Sequence, residues 1–326
     1  MPHLNLDFHG TPVRLTADSG DTLDELRRDF AAFASAEDSA PRVNIRLCAE
    51  SCPQPSGASS WRWKDYSVSA VPGGRLIRYT DDSWVRYDYG ERTGVIHASH
   101  PERLRELAYL AVLSRAGEEL DRRGLHRVHA LGVSSAAGAA LVLLPSGGGK
   151  STLALEFLRR QTLALLSDEC PLVSSDGVVR PFLLRLAFRA GTDLSRLPSG
   201  SLRPFQRRGY EAKQLLDAVA LDAKPAAPAP LRWLLLGSHS EGAPRLEPLS
   251  RPGALAALAG SLVIGIGLPQ MAEYMARPDL ALGSIAASRL RAAYNMTGQA
   301  RLARLRLGSH GPAATAEFLE GVTATA

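Results

Sequence analysis

The sequence predicts an α/β protein: a core with a mixed sheet, preceded by a smaller β-rich α+β part. Three observations predict it. Residues 1–100 are dominated by short alternating runs such as VNIRLC, Val43–Cys48. From Leu125 onward, fully apolar runs such as AALVLL alternate with helical patterns. One of these apolar runs passes through a glycine loop straight into an amphipathic helix. Apolar strands beside helices imply a sheet covered by helices. HRVHALGV and AALVLL lie close enough for a hairpin, which makes the sheet mixed rather than purely parallel. The expected organisation is a β-rich domain over 1–100, a connecting helix over 101–124 and an α/β domain over 125–326.

In the front domain, LNLDFHG and TPVRLTA alternate weakly, and WRWKDYSVSAV followed by Pro72-Gly73-Gly74 and RLIRYT reads as a hairpin. DSWVRYDY and GVIHAS extend the meander. One helix interrupts it, with Asp21 as the expected cap and Leu23, Leu26 and Phe30 on one face. Residues 51–60 are a loop by composition. Ser99 and Pro101 then open a long helix that Gly124 ends, with Leu104, Leu107, Ala108, Ala111 and Val112 as its apolar stripe. In the second domain the expected order is strand HRVHALGV, strand AALVLL, the glycine loop, helix KSTLALEFLRR and strand TLALL. Strand-like VVRPFLLRLAF follows, then a polar segment over 192–224 that reads as a lid or substrate loop, then the buried strand LRWLLLG. Within that segment the basic stretch from Arg196 to Lys213, with Arg203, Arg207 and Arg208, reads as a solvated loop or as a surface for an anionic substrate. The C-terminal third reads as mostly helical.

Composition narrows the function classes. The chain has 326 residues, 45% hydrophobic and 22% charged, which is globular rather than disordered. Its net charge of +5 is too mild to argue for nucleic acid. The sparse cysteines Cys48, Cys52 and Cys170 do not make a disulfide framework, and the C-x3-C spacing lacks the second pair that a zinc site needs. No signal-peptide pattern is visible, so a cytoplasmic location is expected. The uncharged stretch from Pro252 to Ala272 is long enough to span a bilayer. It holds Gly260, Gly265, Gly267 and Pro269, however, and changes midway from helix-like ALAALAG to strand-like SLVIGIG, so no membrane span is expected.

The strongest motif is Ser146-Gly147-Gly148-Gly149-Lys150-Ser151-Thr152, after an apolar strand and at the start of a helix. That is the context of a phosphate-binding P-loop. Glycines let backbone N–H groups turn toward phosphate oxygens, and the helix start adds partial positive charge. Lys150 is expected to reach the outer phosphates and Ser151 to hold Mg²⁺. Leu144 stands where the full pattern has its first glycine. Asp168-Glu169 ends the apolar strand TLALL, 18 residues after Lys150. A strand next to the P-loop strand would bring these carboxylates to the outer phosphate, one to bind Mg²⁺ and one to accept a proton. His129 lies on the preceding strand, 21 residues before Lys150, and is read as a phosphate or nucleophile contact or a core histidine. His126 and His97 are read as structural. Arg189 is read as a surface arginine, or as a group that stabilises transferring phosphate.

Together, the histidine before a β-hairpin, the loop SGGGKST, the helix LALEFLRR and LLSDE resemble the kinase core of HPr kinase/phosphorylase, whose fold is related to phosphoenolpyruvate carboxykinase. The resemblance covers about residues 125–190. Segments VVRPFLLRLAFR and VIGIGLPQMAEY look more like the divergent HPr-kinase-related proteins of peptide-modification cassettes, of the SynChlorMet type. The resemblance implies that residues 147–152 bind nucleotide phosphates and that Asp168 is the base toward a serine hydroxyl. It also implies that Glu169 and Ser151 assist Mg²⁺ and that His129 lies by the transferred phosphate. Glu169 replaces the family's second aspartate. The signature E-x-R-G-x-G is missing, so phosphorylase activity is not expected.

The leading expectation is an ATP- or GTP-dependent serine kinase acting on a peptide or small protein, with a ribosomally made precursor peptide as the expected acceptor. Two alternatives stay open at this point: a nucleotide-binding scaffold or switch in a peptide-maturation complex, and a small-metabolite kinase. Self-association into a homo-oligomer is compatible with the sequence.

Overall fold

The computed structural model describes residues 1–37, 39–49, 55, 61–62, 65–195, 197–198, 200–206, 211–217, 226–263 and 280–324. It is a mixed α/β structure with six α-helices among the described residues. Residues 1–120 form one compact unit, and the described residues from Asp121 onward form a second.

The first unit is built on a nine-stranded sheet. Its spatial order is Ala34–Ser35, His3–Asp7, Pro12–Ala17, Val43–Cys48, Thr93–His97, Trp84–Asp88, Gly74–Tyr79, Tyr66–Val71 and Trp61–Arg62. Val43–Cys48 runs parallel to both of its neighbours, and the other pairs are antiparallel. Alternation is strict in Pro12–Ala17, where Val13, Leu15 and Ala17 are buried. This is the period-two pattern of a strand with one face packed. The expected hairpin closes through Pro72 and Gly73, with Gly73 at φ +74°. The first helix runs Asp21–Asp29, but Gly20 rather than Asp21 holds the capping position, and no side chain caps it. Asp21 instead lies in the first turn, where its charge favours the helix dipole. The long helix runs Pro101–Arg122. Arg105 from this helix forks onto Asp29 with contacts of 2.7 and 2.9 Å, and Tyr109 stacks on Phe30 at 5.0 Å.

In the second unit a mixed sheet carries the site. Gly138–Leu143 is buried at every position. It pairs parallel with Ala229–Ser238 and antiparallel with Leu131–Ser135, and Ala164–Ser167 lies beyond the latter. Ala139, Leu141 and Leu143 pack with Ala254, Leu258 and Leu262 of helix Arg251–Val263 and with Met296 of helix Leu280–Gln299. By alternation, Ala140 and Val142 face the other way. Helix Lys150–Arg160 packs on helix Pro312–Ala324, which also lies against Leu131–Ser135 and Gly138–Leu143. A separate three-stranded sheet has the order Leu186–Arg189, Lys213–Leu216, Leu202–Phe205.

Several sequence expectations are corrected. HRVHALGV is not one strand: His126–Arg127 and Leu131–Ser135 belong to different ladders, with His129 in the bend between them. VVRPFLLRLAF splits in the same way into Val178–Arg180 and Leu186–Arg189, because Pro181 has no N–H to continue a ladder. Ser261–Val263, read as the start of a strand, complete the helix from Arg251. The C-terminal third includes the strand Arg301–Arg306, which pairs parallel with Ala229–Ser238. The segment 192–224 is not simply a loop, since Leu202–Phe205 and Lys213–Leu216 are strands. Arg196, Arg207, Arg208, Cys52 and the run from Ile264 to Ala272 lie outside the described residues. Among the described residues, no helix is long and apolar enough to cross a membrane.

Candidate phosphate-binding site

The site begins where the apolar strand Gly138–Leu143 ends. Leu144 is buried, and its side chain occupies the space that a Cβ on Gly237 would take, 2.6 Å from Leu144 Cδ2. Leucine is therefore accommodated at the loop's first position because the neighbouring strand has glycine there. The loop then tightens as the Gly148 N–H donates to the Pro145 carbonyl at 3.0 Å. Gly147 and Gly149 sit at φ +76° and +94°, conformations that side-chain-bearing residues rarely adopt. Gly149 is the N-terminal cap of helix Lys150–Arg160, and no side chain caps that end. The first-turn amides of Lys150, Ser151 and Thr152 have no carbonyl one turn earlier to bond. An uncapped helix start of this kind has the character of an anion site.

Lys150 is only 8% exposed. Its ammonium donates to the carbonyls of Leu144 at 2.7 Å and Pro145 at 3.1 Å, and meets His129 Nε2 at 3.0 Å. Burial lowers the Lys150 pKa, while Glu169 and Asp168 oppose that shift. Burial, and then the Lys150 charge, push His129 down to about 4. A neutral imidazole accepting at Nε2 carries its proton on Nδ1, and that buried nitrogen has no hydrogen-bond partner among the described residues. His129 is held by backbone stitching: Val128 N–H donates to Pro171 O at 3.1 Å and Ala130 N–H to Glu169 O at 3.1 Å.

Asp168 ends the strand Ala164–Ser167 and is buried. The Ser151 hydroxyl donates to its Oδ2 at 3.0 Å. Burial and then the Glu169 charge raise the Asp168 pKa to about 7, against the opposing Ser151 bond, its own backbone N–H and Lys150. Ser167 Oγ accepts the N–H groups of Glu169 at 3.3 Å and Cys170 at 3.0 Å, fixing the turn that carries the pair. The acidic strand is not adjacent to the P-loop strand, as the sequence suggested, because Leu131–Ser135 lies between them. Ser151 and Asp168 meet nevertheless.

These groups surround one cavity of about 210 Å³. His129, Ser146, Gly147, Gly149, Lys150, Ser151, Thr152, Asp168 and Glu169 all line it, whereas Gly148 does not. The three-stranded sheet adds Ala187, Phe188, Arg189 and Lys213, and the turn after its first strand adds Thr192. Phe188 and Thr192 carry no signal in the sequence, and Lys213 stands out there only as the end of a basic stretch. The further signal at Lys213 is its place two residues before Leu215-Leu216, where the polar stretch gives way to a short strand. Arg203, grouped with the basic segment in the sequence reading, is buried in an ion pair with Asp217, Nε to Oδ1 3.1 Å. His126 has no exposed surface and bridges Asp121 at 2.8 Å and Ser288 at 2.9 Å. His97 is buried and packs 5.7 Å from Trp84.

Mg²⁺ keeps several waters and is held by one or two carboxylates together with substrate phosphates. The Ser151 hydroxyl and the Asp168–Glu169 pair fit that mode. Among the described residues there is no cluster of three or more His, Cys, Asp or Glu that would hold a metal unaided. The fold and cavity together define a mixed α/β protein with a strand, a glycine loop and a helix converging on two carboxylates. No protein-family model matches the chain, and no curated protein matches it.

Proposed function

We propose that the chain is a P-loop phosphotransferase related to the HPr-kinase type, using ATP or GTP with Mg²⁺ to phosphorylate a serine hydroxyl on a peptide or small protein. The observation that carries this reading is the Ser151–Asp168 bond beneath an uncapped helix start. It joins the phosphate-binding and proton-accepting halves of such a site. In this reading the N–H groups at the start of helix Lys150–Arg160 bind phosphate oxygens, and Lys150 leaves the Leu144 and Pro145 carbonyls to join them. The acceptor oxygen forms its bond to the terminal phosphorus as the bond to the bridging oxygen breaks, and the nucleoside diphosphate departs. Asp168 takes the hydroxyl proton, and a pKa of about 7 suits a base working near neutrality. Mg²⁺ supplies charge neutralisation for the phosphates, with Ser151 and Glu169 toward it.

The same bond also favours a second division of roles. Because Ser151 contacts Asp168 and not Glu169, Asp168 belongs on the metal side and Glu169 becomes the base. Transfer from terminally labelled ATP and GTP to a peptide library tests the proposal. Label on serine, lost in Asp168→Asn and Glu169→Gln, supports it. The variant that loses transfer while retaining Mg²⁺-dependent nucleotide affinity identifies the base. Nucleotide binding with no transfer to any peptide would favour the scaffold reading, and transfer only to small hydroxyl compounds the metabolite kinase.

A further inference from the structure

We infer that Arg189 and Lys213 form the terminal-phosphate wall of this cavity and make it selective for nucleoside triphosphate over diphosphate. This inference rests on the phosphate-binding reading of the loop. Arg189 and Lys213 are directly opposite each other on antiparallel strands, so their side chains leave the sheet on the same face. Like charges at directly opposed positions destabilise a sheet. Neither residue has an ion pair or hydrogen bond from its side chain among the described residues, and both line the cavity.

The other described arginines in and beside this small sheet are treated differently. Arg203 is neutralised by Asp217, and Arg185 lies over the Phe205 ring at 4.5 Å. Among the described residues of the three strands, Arg189 and Lys213 are thus the cations with no carboxylate partner, and both face the cavity. The Arg189 guanidinium also closes over the glycine loop. Its two terminal nitrogens are 3.5 and 3.7 Å from where a Cβ on Gly147 would stand. An anion held by the loop therefore lies within reach of a planar, forked donor suited to phosphate oxygens. The repulsion between Arg189 and Lys213 is relieved when a phosphate sits between them. The helix start holds the inner phosphates and Lys150 reaches outward from it; this pair adds its charge on the side where the terminal phosphate of a triphosphate lies.

The test is calorimetric titration of Mg²⁺ with ATP and with ADP, and likewise GTP and GDP, into the full chain and into Arg189→Ala, Arg189→Lys and Lys213→Met. Both side chains lie toward the cavity rather than in the core, and circular dichroism checks that the variants fold. The inference expects a triphosphate preference in the unaltered protein. Arg189→Ala should lose about ten- to a hundredfold in triphosphate affinity, the range for a charge-assisted hydrogen bond, with diphosphate affinity changed by less than about threefold. Arg189→Lys should retain part of the preference and Lys213→Met should lose part of it. If Arg189→Ala and Lys213→Met keep the unaltered triphosphate-to-diphosphate ratio, the inference is overturned while the loop reading stands. If the unaltered protein binds neither nucleotide, the loop reading fails and takes this inference with it.

Discussion

Replacing Asp168 by asparagine tests how deeply the acid is buried, separately from any activity. Its pKa moves from an ordinary 3.8 to about 7 in the folded chain. A raised carboxylate pKa means that the folded state favours the neutral form. The associated stability is complete below about pH 4 and is lost as pH climbs toward about 7. At about 1.36 kcal/mol per unit, the fully ionised protein carries a penalty of about 4 kcal/mol. Asparagine has nearly the same shape, can still accept the Ser151 hydroxyl and has no charge to bury. Relative to the unaltered protein, Asp168→Asn should therefore gain about 2–3 kcal/mol between about pH 5 and pH 8. Urea unfolding without nucleotide or Mg²⁺ reads this as a midpoint gap that widens by about 1 M as pH rises. A gap that stays constant across that range would show that Asp168 ionises as an exposed carboxylate does, and the base assignment would lose its support.

Four further predictions follow from the geometry. Lys150→Met should abolish nucleotide binding by titration while leaving the fold intact by circular dichroism, since the loop carbonyls it releases lie beside the open cavity. Gly149→Ala forces a side chain onto φ +94° and should cost about 1–3 kcal/mol in denaturant unfolding, together with a loss of nucleotide affinity. Asp121→Ala strands the buried Arg289 guanidinium and His126, so unfolding should become easier by about 3–5 kcal/mol, with no change in any nucleotide affinity that survives. Gly237→Val drives a branched side chain into Leu144 and should cost about 1–3 kcal/mol, and the double variant with Leu144→Gly should recover much of that in the same assay.

Local patterns were legible where one effect dominated. The helix Lys150–Arg160 begins and ends where KSTLALEFLRR does, because a glycine cap precedes it and the chain turns at Gln161, φ +53°. The strand Gly138–Leu143 could be read because nothing polar interrupts it. The loop residues and the acidic pair could be named because each lies at the end of such an element, and the structure brings all of them but Gly148 to one cavity with His129.

What the sequence hid was set by partners distant along the chain. His129 reads as a strand residue by its neighbours, but Val128 and Ala130 bond to Pro171 and Glu169 rather than extending the ladder, which bends it out toward Lys150. Arg301–Arg306 follows helix Leu280–Gln299 almost directly and its alternation breaks at Leu302-Ala303, so it reads as more helix, yet it completes the sheet beside Ala229–Ser238. Arg203 and Lys213 look alike in a basic stretch. Only strand register separates the one that meets Asp217 from the one that faces the cavity.

Titrating Mg²⁺-saturated ATP and GTP into the unaltered chain and into Lys150→Met, with heat as the readout, tests the account at its base. It predicts saturable one-to-one binding by the unaltered chain to at least one nucleotide and none by the variant. Absence of heat with both nucleotides, or equal affinity in the variant, would contradict it.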